Sequence, residues 1–224
     1  MSTLVKVARF SLFGPRSYLV LPWILPFSFA VGAVTARHSH LASGYLFSLF
    51  SYFALLGMQT VSRSLPFGLA LGISRRSFYS GAALLGTSLA LVSGLVLAAL
   101  QAVERATGGW GLSLRFFRVD YLLNGPWYAT WLTSFVGLSA LFAYGMWHAV
   151  VYHRWGMLGT LAFFALQAIA VTAGVVVAGF AHWHVHVAVG GGSGLTALDL
   201  TGVVAALAVL LLAGGHATIR HATV

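Results

Sequence analysis

Six runs of predominantly apolar residues divide this chain, at about 18–36, 44–63, 80–102, 128–150, 157–181 and 197–216. Crossing the hydrocarbon core of a bilayer takes roughly 20 such residues in a helix. Once the runs are removed almost nothing remains to build a second unit. The expected fold is therefore an all-α integral membrane protein, a single transmembrane domain over residues 1–224 with six transmembrane helices.

Composition supports this. Apolar residues make up 59% of the chain and charged residues 7%, against about a quarter charged in an ordinary soluble domain. With so little charge to face water, lipid is the natural cover for the outside. The first run follows basic residues, as a signal peptide does, and Val34-Thr35-Ala36 loosely resembles a cleavage site. Its length, and a chain beginning at Met1, read it instead as a retained first span. Pro22 and Pro26 within it are expected to kink the helix rather than end it. Gly81, Gly86 and Gly94 in the third run would let helix backbones approach closely.

The net charge of +9 does not indicate nucleic acid. Its arginines stand singly or in one pair at the ends of apolar runs, which is the pattern of the positive-inside rule and not of a phosphate-binding face. With the N-terminus cytoplasmic, the inner segments hold Lys6, Arg9, Arg16, Arg63, Arg75, Arg76, Arg154 and Arg220. The outer ones hold Arg37, Arg105, Arg115 and Arg118. Both termini are thus expected inside. Lys6 is the lone lysine among the twelve basic residues; with the wealth of Ala, Gly, Val and Leu, this suits a GC-rich bacterial genome and a bacterial cytoplasmic membrane. There is no cysteine, so disulfides and thiol chemistry are excluded.

Three segments outside the spans carry information. Leu4 to Phe13, within residues 1–16, sets Leu4, Val5, Ala8 and Leu12 against Lys6 and Arg9. This suits a short helix lying in the interface, or else a frayed lead-in to the first span. The inner loop from Arg63 to Phe78 is too apolar for a solvated connector. Ser64 would cap a short helix with Pro66 in its first turn, placing Phe67, Ala70, Leu71, Ser74 and Phe78 near one face. Gly72 would let the chain turn, and Arg75-Arg76 would hold its exit at the membrane surface. The outer segment Glu104 to Pro126 mixes Trp110, Phe116, Phe117 and Tyr121 with charges, as residues at headgroup level do.

Absences exclude whole classes of chemistry. A Walker A loop needs a lysine after a Gly-rich turn, and Lys6 lies in none. The carboxylates Glu104, Asp120 and Asp199 are all expected near the outer surface, so the membrane-embedded acid relay of many secondary transporters is missing. Gly191-Gly192-Ser193-Gly194 superficially matches the surroundings of an intramembrane serine nucleophile, but such a serine needs a histidine base. His216 is the candidate in the following helix, and about twenty residues of helix separate the two by roughly 30 Å. A flexible turn explains the motif.

Two constellations stay open. His182, His184 and His186 would share a face if extended, a spacing that suits zinc or copper. They would equally serve as polar interface residues beside Trp183, or as a pH-sensitive loop. Ser48, Tyr52 and Gln59 follow helical spacing along the second span, and Thr160 and Gln167 lie along the fifth. Such buried polar groups either line a pathway or bond helices together.

The string Leu71-Gly72-Ile73-Ser74-Arg75-Arg76-Ser77-Phe78, placed between the second and third of six spans behind a basic amphipathic N-terminal segment, resembles the inner loop of ABC-2 type ATP-binding cassette permease subunits. The resemblance in topology covers nearly the whole chain. It implies an interfacial connecting helix at Leu4 to Phe13. It also implies a short cytoplasmic coupling helix between the second and third helices that docks on a separate nucleotide-binding ATPase subunit, through Leu65, Phe67, Leu69, Leu71, Ser74, Arg75, Arg76 and Phe78. ATP and Mg would belong to that partner, and this chain would have no cofactor and no catalysis of its own. A second permease chain, identical or homologous, would complete the pathway, with Ser48, Tyr52, Gln59, Thr160 and Gln167 as its candidate lining. The implied activity is export of an amphipathic or hydrophobic cargo such as a drug, lipid or peptide. One departure is that the outer segment between the last two spans is short and Gly-rich, where family members often carry a helical hairpin. The alternative is a histidine-based metal- or haem-handling membrane protein without ATP coupling.

Overall fold

A computed structural model describes residues 44–109, 126–180 and 197–220. These residues are all-helical: α1 (Gly44–Ala70), α2 (Arg75–Ala106), α3 (Trp127–Phe180) and α4 (Ala197–Arg220). Arg75–Ala106 and Trp127–Ile169 are long and apolar enough to cross a membrane. The expected segment 1–16, the first span, most of the outer segment 104–126 and His182, His184 and His186 lie outside the described residues.

One glycine divides α3. Gly156 sits at φ 62° and ψ −151°, a conformation that is essentially closed to residues with a Cβ. Side chains on either side of it then meet. Tyr144 donates to Gln167 Oε1 at 3.0 Å, Trp147 packs edge-on against Phe163, and His148 lies against Phe164. In each pair one residue precedes Gly156 by nearly as much as the other follows it, so α3 is a helical hairpin of two antiparallel arms. These arms correspond to the fourth and fifth apolar runs.

The first arm of α3 is the hub, packing against α1, α2 and α4. On α1, a Cβ at Gly57 would collide with the Phe142 carbonyl, and one at Gly145 with the Ala54 carbonyl. The two backbones touch because neither position carries a side chain. Numbering rises together along both helices, so they run parallel. On α2 the order is reversed: Gly86 accommodates the Phe142 ring, and Gly94 faces the Trp131 carbonyl and Phe135 nitrogen. Along α4, Thr133 bonds Thr201 at 2.8 Å and Trp147 Nε1 donates to Thr218 Oγ1 at 3.3 Å, again in parallel order. Successive helical segments thus alternate in direction.

The core lies where α1, α2 and the first arm of α3 meet, with Leu49, Phe53, Leu56, Phe78, Leu97, Leu138, Phe142 and Met146 fully buried. Many hydroxyls bond back to their own helix, as Thr60 does to Leu56 O at 2.7 Å and Thr87 to Ala83 O at 2.8 Å. Such bonds satisfy a polar group where no water competes. The outward faces are apolar: Leu91, Val92, Leu95 and Val96 on α2, Leu158, Leu161, Leu166 and Ile169 on the second arm, and Val203, Leu207 and Leu210 on α4 are all exposed.

The alternation brings the charges to two ends. Arg63, Arg75, Arg76, Arg154 and Arg220 fall where α1 and α4 finish, α2 begins and α3 turns. This is the basic end. Arg105, with Glu104 and Asp199, falls at the opposite, far end.

Candidate functional site

The turn joining α1 to α2 lies at the basic end and is built from local hydrogen bonds. Ile73 N donates to Gly68 O at 3.0 Å and Gly72 N to Leu69 O at 3.0 Å, the paired bonds of a Schellman helix stop. Gly72 adopts the left-handed conformation this stop requires, at φ 75°. Two residues later Ser74 caps α2. Its backbone is extended and its hydroxyl accepts from Ser77 N at 3.2 Å. One helix is stopped and the next started within four residues, which leaves the turn little freedom.

This corrects the expected separate coupling helix. Ser64 does not begin a helix, because α1 runs unbroken through Pro66 to Ala70. Proline removes one bond of the helical ladder, but its ring is exposed, Leu65 is buried, and Gly68 packs against the Phe78 ring. Packing on both sides of Pro66 holds the helix together. Arg75 to Phe78 likewise form the first turn of α2 rather than loop, so the third span starts earlier than 80.

The expected contact residues separate into two groups. Phe67 and Leu71 are 52% and 58% exposed, and Ser74 and Arg76 are exposed beside them. Leu69, Ile73 and Arg75 are half-buried. Leu65 and Phe78 are core residues, Phe78 fully so; they hold the turn in place and present nothing outward. Arg75 and Arg76 occupy the first turn of α2, where cations oppose the positive end of the helix dipole by about 0.3–1 kcal/mol each. Helix stability therefore does not account for their position.

The pathway candidates are placed differently. Ser48 and Gln59 are half-buried along α1, and Tyr52 lies in the core. On the second arm, Gln167 Oε1 accepts from Tyr144, and Thr160 Oγ1 donates to Gly156 O at 3.3 Å. The first bond fastens the two arms of the hairpin together, and the second satisfies the Thr160 hydroxyl on its own helical turn. At the basic end His216 packs edge-on against Tyr79, 5.9 Å between rings, and Tyr79 also donates to Leu212 O at 3.3 Å, tying α2 to α4. Among the described residues no cluster of three His, Asp or Glu side chains is arranged to hold a metal ion.

Sequence reading missed a polar set at the far end. Gln101 and Glu104 are each 1% exposed near the end of α2, and Thr130 and Ser134 are equally buried at the start of α3. The signal was present: Ser93, Leu97, Gln101 and Glu104 keep helical spacing along the buried stripe of α2. Glu104 was expected near the outer surface; it lies at the end of α2 away from the basic turn and inside the packing. Compared with known proteins, the chain matches no family model, no curated protein and no solved structure.

Proposed function

We propose that this chain is the six-helix permease subunit of an ABC-2 type exporter. On this reading it lies in the bacterial cytoplasmic membrane with both termini cytoplasmic. Two permease chains assemble with ATPase subunits that bind ATP and Mg, and an amphipathic or hydrophobic cargo passes between the permeases. The observation that carries the reading is the exposed pair Phe67 and Leu71 beside Arg63 and Arg76 on a tightly fastened turn. An exposed apolar pair rimmed by charge is what a docking surface offers a partner protein. Support also comes from the charge distribution, since five of the six arginines among the described residues gather at the end that bears this turn, as the positive-inside rule places them.

The test is co-purification of a nucleotide-binding chain encoded beside this one. Capture is expected from the native protein and lost on Arg75→Glu or on deletion of Leu69 to Ser74. Translocation of cargo by membranes that hold only this chain and no ATP would overturn the reading.

A further inference from the structure

The arginines of the first three helices share one depth at the basic end. Gly57 against Phe142 and Met146, with Gly145 against Ala54 and Met58, sets the register of α1 on the first arm of α3 and brings Arg63 level with Val151. Gly94 against Trp131 and Phe135 sets that of α2 and brings Arg75 and Arg76 level with Tyr152 and Val151. At 1.5 Å per residue all three lie within about 5 Å of Arg154 along the bundle. Glu104 and Asp199, the two carboxylates among the described residues, sit at the other end. In a bundle that crosses a membrane, such a cationic layer marks the depth of the lipid headgroups.

Arg154 is held in this layer on an aromatic platform. Its guanidinium lies over the Trp155 ring, 4.6 Å from the centroid, a favourable cation–π distance. Gly159 gives Trp155 its room, since a Cβ there would collide with Trp155 Cβ. The indole covers one face of the guanidinium and leaves its N–H edges for a bidentate acceptor such as phosphate. Tyr152 is exposed nearby, and Leu158 and Leu161 are exposed where the second arm re-enters the layer below. A cation suits the C-terminal end of the first arm, but the helix dipole requires neither the platform nor the apolar track.

We infer that the α3 turn binds an anionic phospholipid, with Arg154 on the phosphate and an acyl chain along Leu158 and Leu161. The occupant is a lipid and not a soluble phosphate because the apolar track continues directly from the cation. The site lies away from the α1–α2 turn. α2 packs on the first arm at Phe135 and Phe142, and the second arm packs at Tyr144 and His148, about half a turn round the helix. Arg76 is thus across the first arm from it. The site requires neither ATP nor a partner chain, so it stands or falls independently of the permease reading.

The full chain in phosphatidylcholine vesicles would be photolabelled with phosphatidylglycerol carrying a diazirine in one acyl chain, and labelled residues mapped by mass spectrometry. Saturable labelling on residues 152–164 is expected, competed by unlabelled phosphatidylglycerol but not by phosphatidylcholine or glycerol phosphate. Arg154→Gln should weaken it about fivefold, the equivalent of one basic residue at an anionic surface. Trp155→Ala, which removes the platform and keeps the charge, should weaken it at least about twofold. Arg76→Gln should change it by less than about twofold, because salt screens charges separated by more than about 8 Å. Equal losses in Arg154→Gln and Arg76→Gln would reveal diffuse surface charge and overturn the inference. So would competition by glycerol phosphate or by phosphatidylcholine, or labelling unchanged in both Arg154→Gln and Trp155→Ala. If Arg154→Gln weakened capture of an ATPase chain and left lipid labelling intact, the turn would be a protein contact and the inference would fail.

Discussion

The Tyr144 hydroxyl donates to Gln167 Oε1 at 3.0 Å, across a hairpin whose turn residue, Gly156, is twelve residues from one and eleven from the other. This bond ties together the two arms of α3. Interhelical bonds in apolar surroundings contribute about 0.6 kcal/mol on average and up to about 1.7. Tyr144→Phe and Gln167→Leu should each lower the unfolding free energy by about that much, read by equilibrium denaturation in detergent. The double variant should lose less than the sum, because the two residues share one interaction. A pathway role for Gln167 would instead change cargo preference without changing stability.

Gly156 is expected to tolerate no other residue well. No atom lies within 4 Å of the position a Cβ would take, so the penalty of Gly156→Ala is backbone strain alone, about 1–3 kcal/mol. A drop in melting temperature that a nearby cavity-forming substitution does not rescue would separate strain from crowding.

The crossing of α1 and α3 gives the opposite case. A methyl group at Gly145 would press on the Ala54 carbonyl, and backbone cannot swing aside as a flexible side chain does. Gly145→Ala should destabilise by about 1–3 kcal/mol, the range for overpacking. Gly202→Ala on α4 meets nothing within 4 Å. It should be neutral or stabilise by up to about 1 kcal/mol through helix propensity.

Phe67 and Phe78 should behave as opposites, though both belong to the same sixteen-residue inner segment. Phe78 is fully buried and Phe67 about half exposed. Phe78→Ala is expected to cost about 3–5 kcal/mol and to disrupt the turn. Phe67→Ser with Leu71→Ser should leave the melting temperature within about 1 kcal/mol equivalent of the native chain, as surface changes do, while abolishing capture of the ATPase. Thermal unfolding and co-purification on the same samples distinguish the two outcomes.

Local pattern was enough for much of this. Apolar run length marked the helices, because any segment of that length and composition must satisfy its own backbone away from water. Gly72 was legible as a turn because the chain there passes from one apolar run toward the next beside a basic pair. The fusion of Leu65–Ala70 with α1 was not legible. Ser64 and Pro66 are sound local signals for a helix start, and they were overridden by Phe78 packing on Gly68 from another helix. Gln101 and Glu104 were hidden for a related reason: burial at the end of a helix depends on which neighbour lies beside it.

The sequence by itself determined that the chain is helical, where its long apolar helices fall, and that its basic residues sit at their ends, since length, hydropathy and charge are properties of each segment alone. Only the tertiary structure decided that α3 doubles back at Gly156, that glycines let α1 touch its first arm, and which polar residues bond other helices and which remain unsatisfied. Those outcomes depend on contacts between residues far apart in the chain, and one-dimensional spacing does not encode which faces meet.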